Sequence, residues 1–127
     1  MIVYKKSDFR CCICGRKSDL TCDHFIPKWT RIVDNDVDNL IPICGKCNED
    51  KGLNFIELSK LKYLPSLYVE VLMRYYRKNA IFLKKYVREF GSYRTNGKLD
   101  VERALLVLKS YDNYLEENKA SLDWESF

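Results

Sequence analysis

The chain has 127 residues, 46% of them hydrophobic, and a formal net charge of +4. That length suits one compact domain, or a small one with an appendage, and that apolar content excludes wholesale disorder. The longest apolar runs, Ala80 to Leu83 and Ala104 to Leu108, fall far short of the roughly 20 residues that span a bilayer, so no membrane partner is expected.

The amino-terminal stretch "MIVYKKSDFR" puts its charges after a few apolar residues and lacks a long apolar segment with a cleavage site. It does not read as a signal peptide. The expected location is a reducing cytoplasm, where the six cysteines point to metal rather than disulfides. They include "CCICG" at 11–15 and "CGKCN" at 44–48. Cys11 with Cys14, and Cys44 with Cys47, make two Cys-x-x-Cys turns whose thiolates complete a tetrahedral four-sulfur site for structural zinc. A redox pair is the weaker reading, because neither turn has the strand-helix context. Cys12 and Cys22 remain as small buried apolar residues. Cys12 to Cys14 is too tight a step for the usual knuckle. The zinc is expected to hold the amino-terminal half together, since so short a segment buries little core alone.

Between the pairs, Leu20 to Asp23 alternates like a short strand, and Leu40 to Ile43 can lie antiparallel to it. "NEDKG" after the second pair reads as a helical turn closed by Gly52 at a C-cap. The order is hairpin, loop, short helix, with Asp23-His24 at the end of the first strand and Asn48 on the helix. "DNDVDN" at 34–39 looks like the start of a calcium loop. Its sixth position is Asn39 rather than Gly and its twelfth is Gly45 rather than Glu, so a polar turn is the better reading.

Taken in order, Cys-x-x-Cys-Gly, Asp-His-x-x-Pro, Asn-Leu and Cys-x-x-Cys-Asn-x-x-Lys-Gly resemble the HNH endonuclease family, whose fold is the ββα-metal or His-Me finger. The resemblance covers roughly residues 11 to 52. Two departures stand out: Lys28 to Asp38 lacks the Gly-Gly often found after the proline, and Asn48 stands where many members have His. The resemblance implies that His24 is the general base that takes a proton from the water attacking a phosphodiester. It implies that Asp23 and Asn48 hold Mg²⁺ or Mn²⁺ and that Asn39 fixes the loop orienting His24. It assigns the structural zinc to Cys11, Cys14, Cys44 and Cys47, and it implies products with 5′-phosphate and 3′-hydroxyl ends.

The chemistry makes independent sense. A free imidazole titrates near pH 6.5, about where a neutral-pH base must. A hard, oxygen-ligated ion that keeps several waters can bind a phosphate oxygen and the leaving group. Adjacent residues near a strand end can send one side chain to metal and the other to water. The bland reading of a lone His beside cysteines is a zinc ligand or a loop residue. The catalytic reading gains weight from Asp23, Asn39, Asn48 and the two Cys pairs standing in register, although Asn39 alone would be an ordinary turn residue.

Residues 55–127 read as a helical extension. Asn54 with Glu57 is a capping-box pattern that opens a short helix ended by Pro65. Ser66 starts a longer helix with Leu72, Tyr76, Leu83, Val87 and Phe90 on one stripe, closed by Gly91. A loop follows, and Asp100 caps a third helix with the stripe Val101, Ala104, Leu105, Leu108, Tyr111 and Leu115. The tail "SLDWESF" either docks through Trp124 and Phe127 or frays. From residue 74 to 94 the chain carries Arg74, Arg77, Lys78, Lys84, Lys85, Arg88 and Arg94 against Glu89 alone. At about 100° per residue the first six fall within an arc of roughly 120° opposite the apolar stripe. Such a run is commonly just a solvated face; beside a nuclease-like motif it suggests a surface tracking a nucleic-acid backbone.

The expected architecture is therefore α+β: a zinc-stabilised ββα-metal module over residues 1–54, followed by the helical extension. The expected activity is metal-dependent hydrolysis of DNA, double-stranded by preference. The competing readings are a non-catalytic zinc module that only binds nucleic acid, and a ribonuclease. Nothing in the sequence sets the oligomeric state.

Overall fold

The computed structural model describes residues 2–28, 37–52, 54–90 and 101–119. The expected Gly91 stop, Arg94, the Asp100 cap, the Trp124–Phe127 tail, most of the 28–38 loop and the side chain of Phe90 lie outside the described residues. The described elements run α1 (Ile2–Lys5), β1 (Leu20–His24), a 3-10 turn (Val37–Asn39), β2 (Leu40–Cys44), α2 (Gly45–Lys51), a second 3-10 turn (Leu58–Lys60), α3 (Ser66–Phe90) and α4 (Val101–Glu117). This is a small α+β module, an antiparallel hairpin followed by helices, with a longer helical region after it. No described helix is long and apolar enough to cross a membrane.

β1 and β2 pair from Leu20 opposite Cys44 to His24 opposite Leu40. Pro42 is tolerated in β2 because its backbone faces away from β1. Its carbonyl accepts the Cys12 N–H at 3.0 Å, so the N–H it lacks is not needed by the ladder. α2 is too short to form unaided. Its N-cap is Cys44, whose Sγ accepts the Cys47 N–H, and its C-cap is Gly52 at φ 57, whose N–H bonds the Asn48 carbonyl. The sulfur turn therefore starts the helix, and a glycine able to adopt positive φ ends it.

One core joins the module to the helical region. Cys12, Phe25, Ile26 and Ile41 pack in the same cluster as Leu72, Met73, Tyr76, Leu83, Leu108 and Tyr111. Phe25 stacks on Tyr111 with ring centroids 5.2 Å apart, and Tyr111 meets Tyr76 edge-on at the same separation. The Tyr76 hydroxyl donates to the Leu108 carbonyl at 3.0 Å and that of Tyr111 to the Ile56 carbonyl. Burial pushes both phenols up, with Asp112 adding to the effect at Tyr76 and the Tyr76 and Glu57 charges at Tyr111.

The Asn54–Glu57 capping box does not open a helix. Phe55 and Ile56 are both buried, and the Ile56 carbonyl is taken by the Tyr111 hydroxyl rather than by a helical N–H. Glu57 precedes only the 3-10 turn, makes no side-chain cap, and pairs instead with Arg103. α3 and α4 begin and run as their stripes suggest, with Val107 added to the buried face of α4.

Candidate metal centre and catalytic site

The sulfur atoms of Cys11, Cys14, Cys44 and Cys47 all lie within 4.8 Å of one another. Cys14 and Cys44 are 3.7 Å apart. A tetrahedron with metal–sulfur bonds of about 2.3 Å has edges of roughly 3.8 Å, so the set fits zinc, and all six cysteines are free of disulfides. The first turn is closed by the Gly15 N–H on the Cys11 carbonyl at 3.0 Å and the Cys11 N–H on the Arg16 carbonyl at 2.8 Å. Gly15 is at φ +80, and a Cβ there would come within 2.8 Å of the Tyr63 ring.

Burial opposes ionisation across the set: at Cys11 the surrounding N–H groups outweigh it and bring the thiol down to about 7, whereas at Cys47 burial and the neighbouring thiols push it up. Cys12, fully buried, is pushed up to about 12 by burial and the neighbouring Cys11 charge. It packs as a neutral apolar residue outside the sulfur set. Cys22 departs from expectation: it is only half-buried, beside the Tyr4 phenol.

Asp23 and His24 end β1. The Asp23 Oδ1 accepts the backbone N–H of His24 at 2.8 Å and lies 3.8 Å from its Nδ1, too far for a hydrogen bond to the ring. The His24 side chain keeps 16% of its surface open and that of Asp23 23%, so water reaches both. Asn48 lies on α2, half-buried, one turn before Lys51. Lys51 reaches back across the module, with its Nζ 2.8 Å from the Asp23 Oδ2 and its side chain only 4% exposed.

Asn39 is completely buried. Its Oδ1 accepts the Ile26 N–H at 2.7 Å and its Nδ2 donates to the Ile26 carbonyl at 3.2 Å. Its own carbonyl accepts the Phe25 N–H at 2.7 Å. The backbone that directly follows His24 is thus held by three hydrogen bonds to Asn39. Lys6, buried in the turn after α1, donates to the carbonyls of Val37 and Leu40 and so braces the strand residue opposite His24.

The basic residues of α3 divide. Lys84 is ion-paired with Asp112 of α4, and Arg77 lines a cavity with Asp112, Glu116 and Lys119. Arg74 is half-buried, whereas Lys78, Lys85 and Arg88 are exposed. Among them Ile81 is 87% exposed, and Phe82 stacks on Tyr86 at 6.2 Å.

Lys51 and Lys6 are the functional candidates that sequence reasoning missed. For Lys51 the signal was present in the Asn-x-x-Lys-Gly step, because three residues after Asn48 falls on the same helical face. Lys6 carries no such signal. Residues 11–53 match the sequence model of the family described as HNH endonuclease, so this segment is a domain of that family, and its four-cysteine cluster can chelate a metal. Neither the curated proteins nor the solved structures returned a match.

Proposed function

We propose, starting from an HNH-endonuclease-family domain at residues 11–53, that the protein hydrolyses phosphodiester bonds of DNA with His24 as general base. The observation that carries this reading is the junction of β1 and α2. There an accessible imidazole and an accessible carboxylate stand side by side, on backbone pinned by Asn39. Pinning matters because a general base must lie within hydrogen-bond reach of the water it deprotonates.

The Asp23 carboxylate and the Asn48 amide are a hard oxygen donor set suited to Mg²⁺ or Mn²⁺. The Asp23 Oδ2 is engaged by the Lys51 ammonium at 2.8 Å, a charge that a divalent ion would have to displace. Such an ion, when bound, neutralises developing phosphate charge and leaves positions for water. The protein's own part is to hold Asp23 on β1, which pairs with β2, and Asn48 on α2, which begins at the sulfur cluster. Cys47 and Asn48 are consecutive, so zinc bound at the cysteines would fix the backbone that carries Asn48. His24 receives the proton of the attacking water, and Lys78, Lys85 and Arg88 hold the neighbouring backbone. Products with 5′-phosphate and 3′-hydroxyl ends are the outcome that the resemblance implies.

The test is conversion of supercoiled plasmid in Mg²⁺ or Mn²⁺, with RNA of matched length in parallel. Metal-dependent nicking or cutting that His24→Ala abolishes supports the proposal. Binding without cleavage would leave a zinc module that only binds nucleic acid, and preferential RNA cleavage would make it a ribonuclease.

A further inference from the structure

We propose that Lys51 is a movable counter-ion of Asp23: it neutralises the carboxylate in the metal-free protein and swings into the adjacent cavity when a divalent cation binds. This deepens, and rests on, the Asp23–Asn48 cation site proposed above. Both oxygens of Asp23 are engaged, Oδ1 by the His24 N–H and Oδ2 by the Lys51 ammonium, each at 2.8 Å. A carboxylate has lone pairs to spare, so coordination is sterically open. Electrostatically it is not, because a dication on either oxygen would lie within a few ångströms of an ammonium whose side chain is 4% exposed. Two like charges at that range, poorly screened, repel strongly.

A buried ammonium cannot simply lose its partner, because an unpaired buried charge is costly. Lys51 has somewhere else to go. It lines a cavity of about 500 Å³ together with Cys47, Asp50 and Asn54. Asp50 offers a carboxylate there, and the metal-bound sulfur set to which Cys47 belongs carries about two negative charges when four thiolates hold one dication. Arg103 is paired with Glu57, and Lys60 and Lys62 are exposed residues. Four flexible methylenes allow a lysine such a change of station without moving α2. The consequence is that the protein sets its own threshold for the catalytic ion, since the ion must displace a resident charge.

The experiment is Mn²⁺ titration of the zinc-loaded full chain without nucleic acid, reading free Mn²⁺ by electron paramagnetic resonance. Wild type, Lys51→Met, Asp50→Asn and the double variant are compared, with Asp23→Asn marking the site. Zinc content and the unfolding midpoint certify each fold, and Lys51→Gln serves if Lys51→Met does not fold. The expected result is at least tenfold tighter Mn²⁺ binding by Lys51→Met. Asp50→Asn should weaken wild type about threefold or more and leave Lys51→Met unchanged. Equal or weaker binding by Lys51→Met, with wild-type binding still lost in Asp23→Asn, overturns the role of Lys51 and leaves the cation site standing. An Asp50→Asn effect of the same size in both backgrounds overturns the second station. Wild type that binds no better than Asp23→Asn overturns the cation site, and this inference with it.

Discussion

Replacing Asn39 by alanine tests how the site is held. Asn39 is fully buried, and so is Ile26, whose N–H and carbonyl it satisfies at 2.7 and 3.2 Å. Alanine leaves both groups without their partner in the core, and each orphaned group costs about 1–3 kcal/mol. A loss of roughly 3 kcal/mol is expected after partial relaxation. With a urea m-value of about 1–3 kcal/mol/M, the midpoint should fall by on the order of 2 M. Under conditions where the variant is fully folded, plasmid cleavage should also fall, because Phe25 and Ile26 follow His24 directly. A stability change below about 0.5 kcal/mol would refute the reasoning, since it would mean that Ile26 finds other partners at no cost.

Removing zinc with a chelator should abolish the near-ultraviolet tyrosine signal as well as the hairpin, because Phe25 of the module stacks on Tyr111 of α4; helices that keep that signal after zinc loss would contradict a shared core. The phenols of Tyr76 and Tyr111 are raised in the fold, so the stability they contribute is complete below the unfolded value of about 10 and declines above it, by up to about 1.4 kcal/mol per pH unit for each. Tyr76→Phe should therefore flatten the alkaline limb of the stability curve measured by urea titration, and an unchanged slope would count against the burial argument. Charge reversal at Lys78 and Lys85 together should weaken DNA binding at least tenfold at low salt and reduce the log–log salt slope by about 2. Lys84→Gln should do less, because Asp112 already neutralises Lys84.

The legible features were the local ones. The sulfur set follows from cysteine spacing, the hairpin from short alternating runs, α2 from the turn closed by Gly52, and α3 and α4 from apolar stripes. Each pattern repeats over a few residues and implies metal binding, pairing or burial whatever completes it, even though the two cysteine turns lie 30 residues apart. The resemblance implied roles for Asp23, His24 and Asn48, but nothing in the sequence indicated their surroundings. Lys51 on Asp23 and Lys6 on Leu40 join segments roughly 30 residues apart, and no periodicity encodes such a pair. α1 is too short for a pattern. The capping box failed for a similar reason: local propensity favoured a helix at Asn54, while Tyr111, far along the chain, claimed the Ile56 carbonyl.

The most direct measurement of the central claim is anomalous diffraction at the zinc and manganese edges from crystals of the full chain grown with MnCl₂. One zinc peak enclosed by Cys11, Cys14, Cys44 and Cys47, and one manganese peak against the Asp23 carboxylate and the Asn48 amide, is the expected result, with the His24 ring free of both. Zinc coordinated by His24, or manganese absent from Asp23 at saturating concentration, would contradict it.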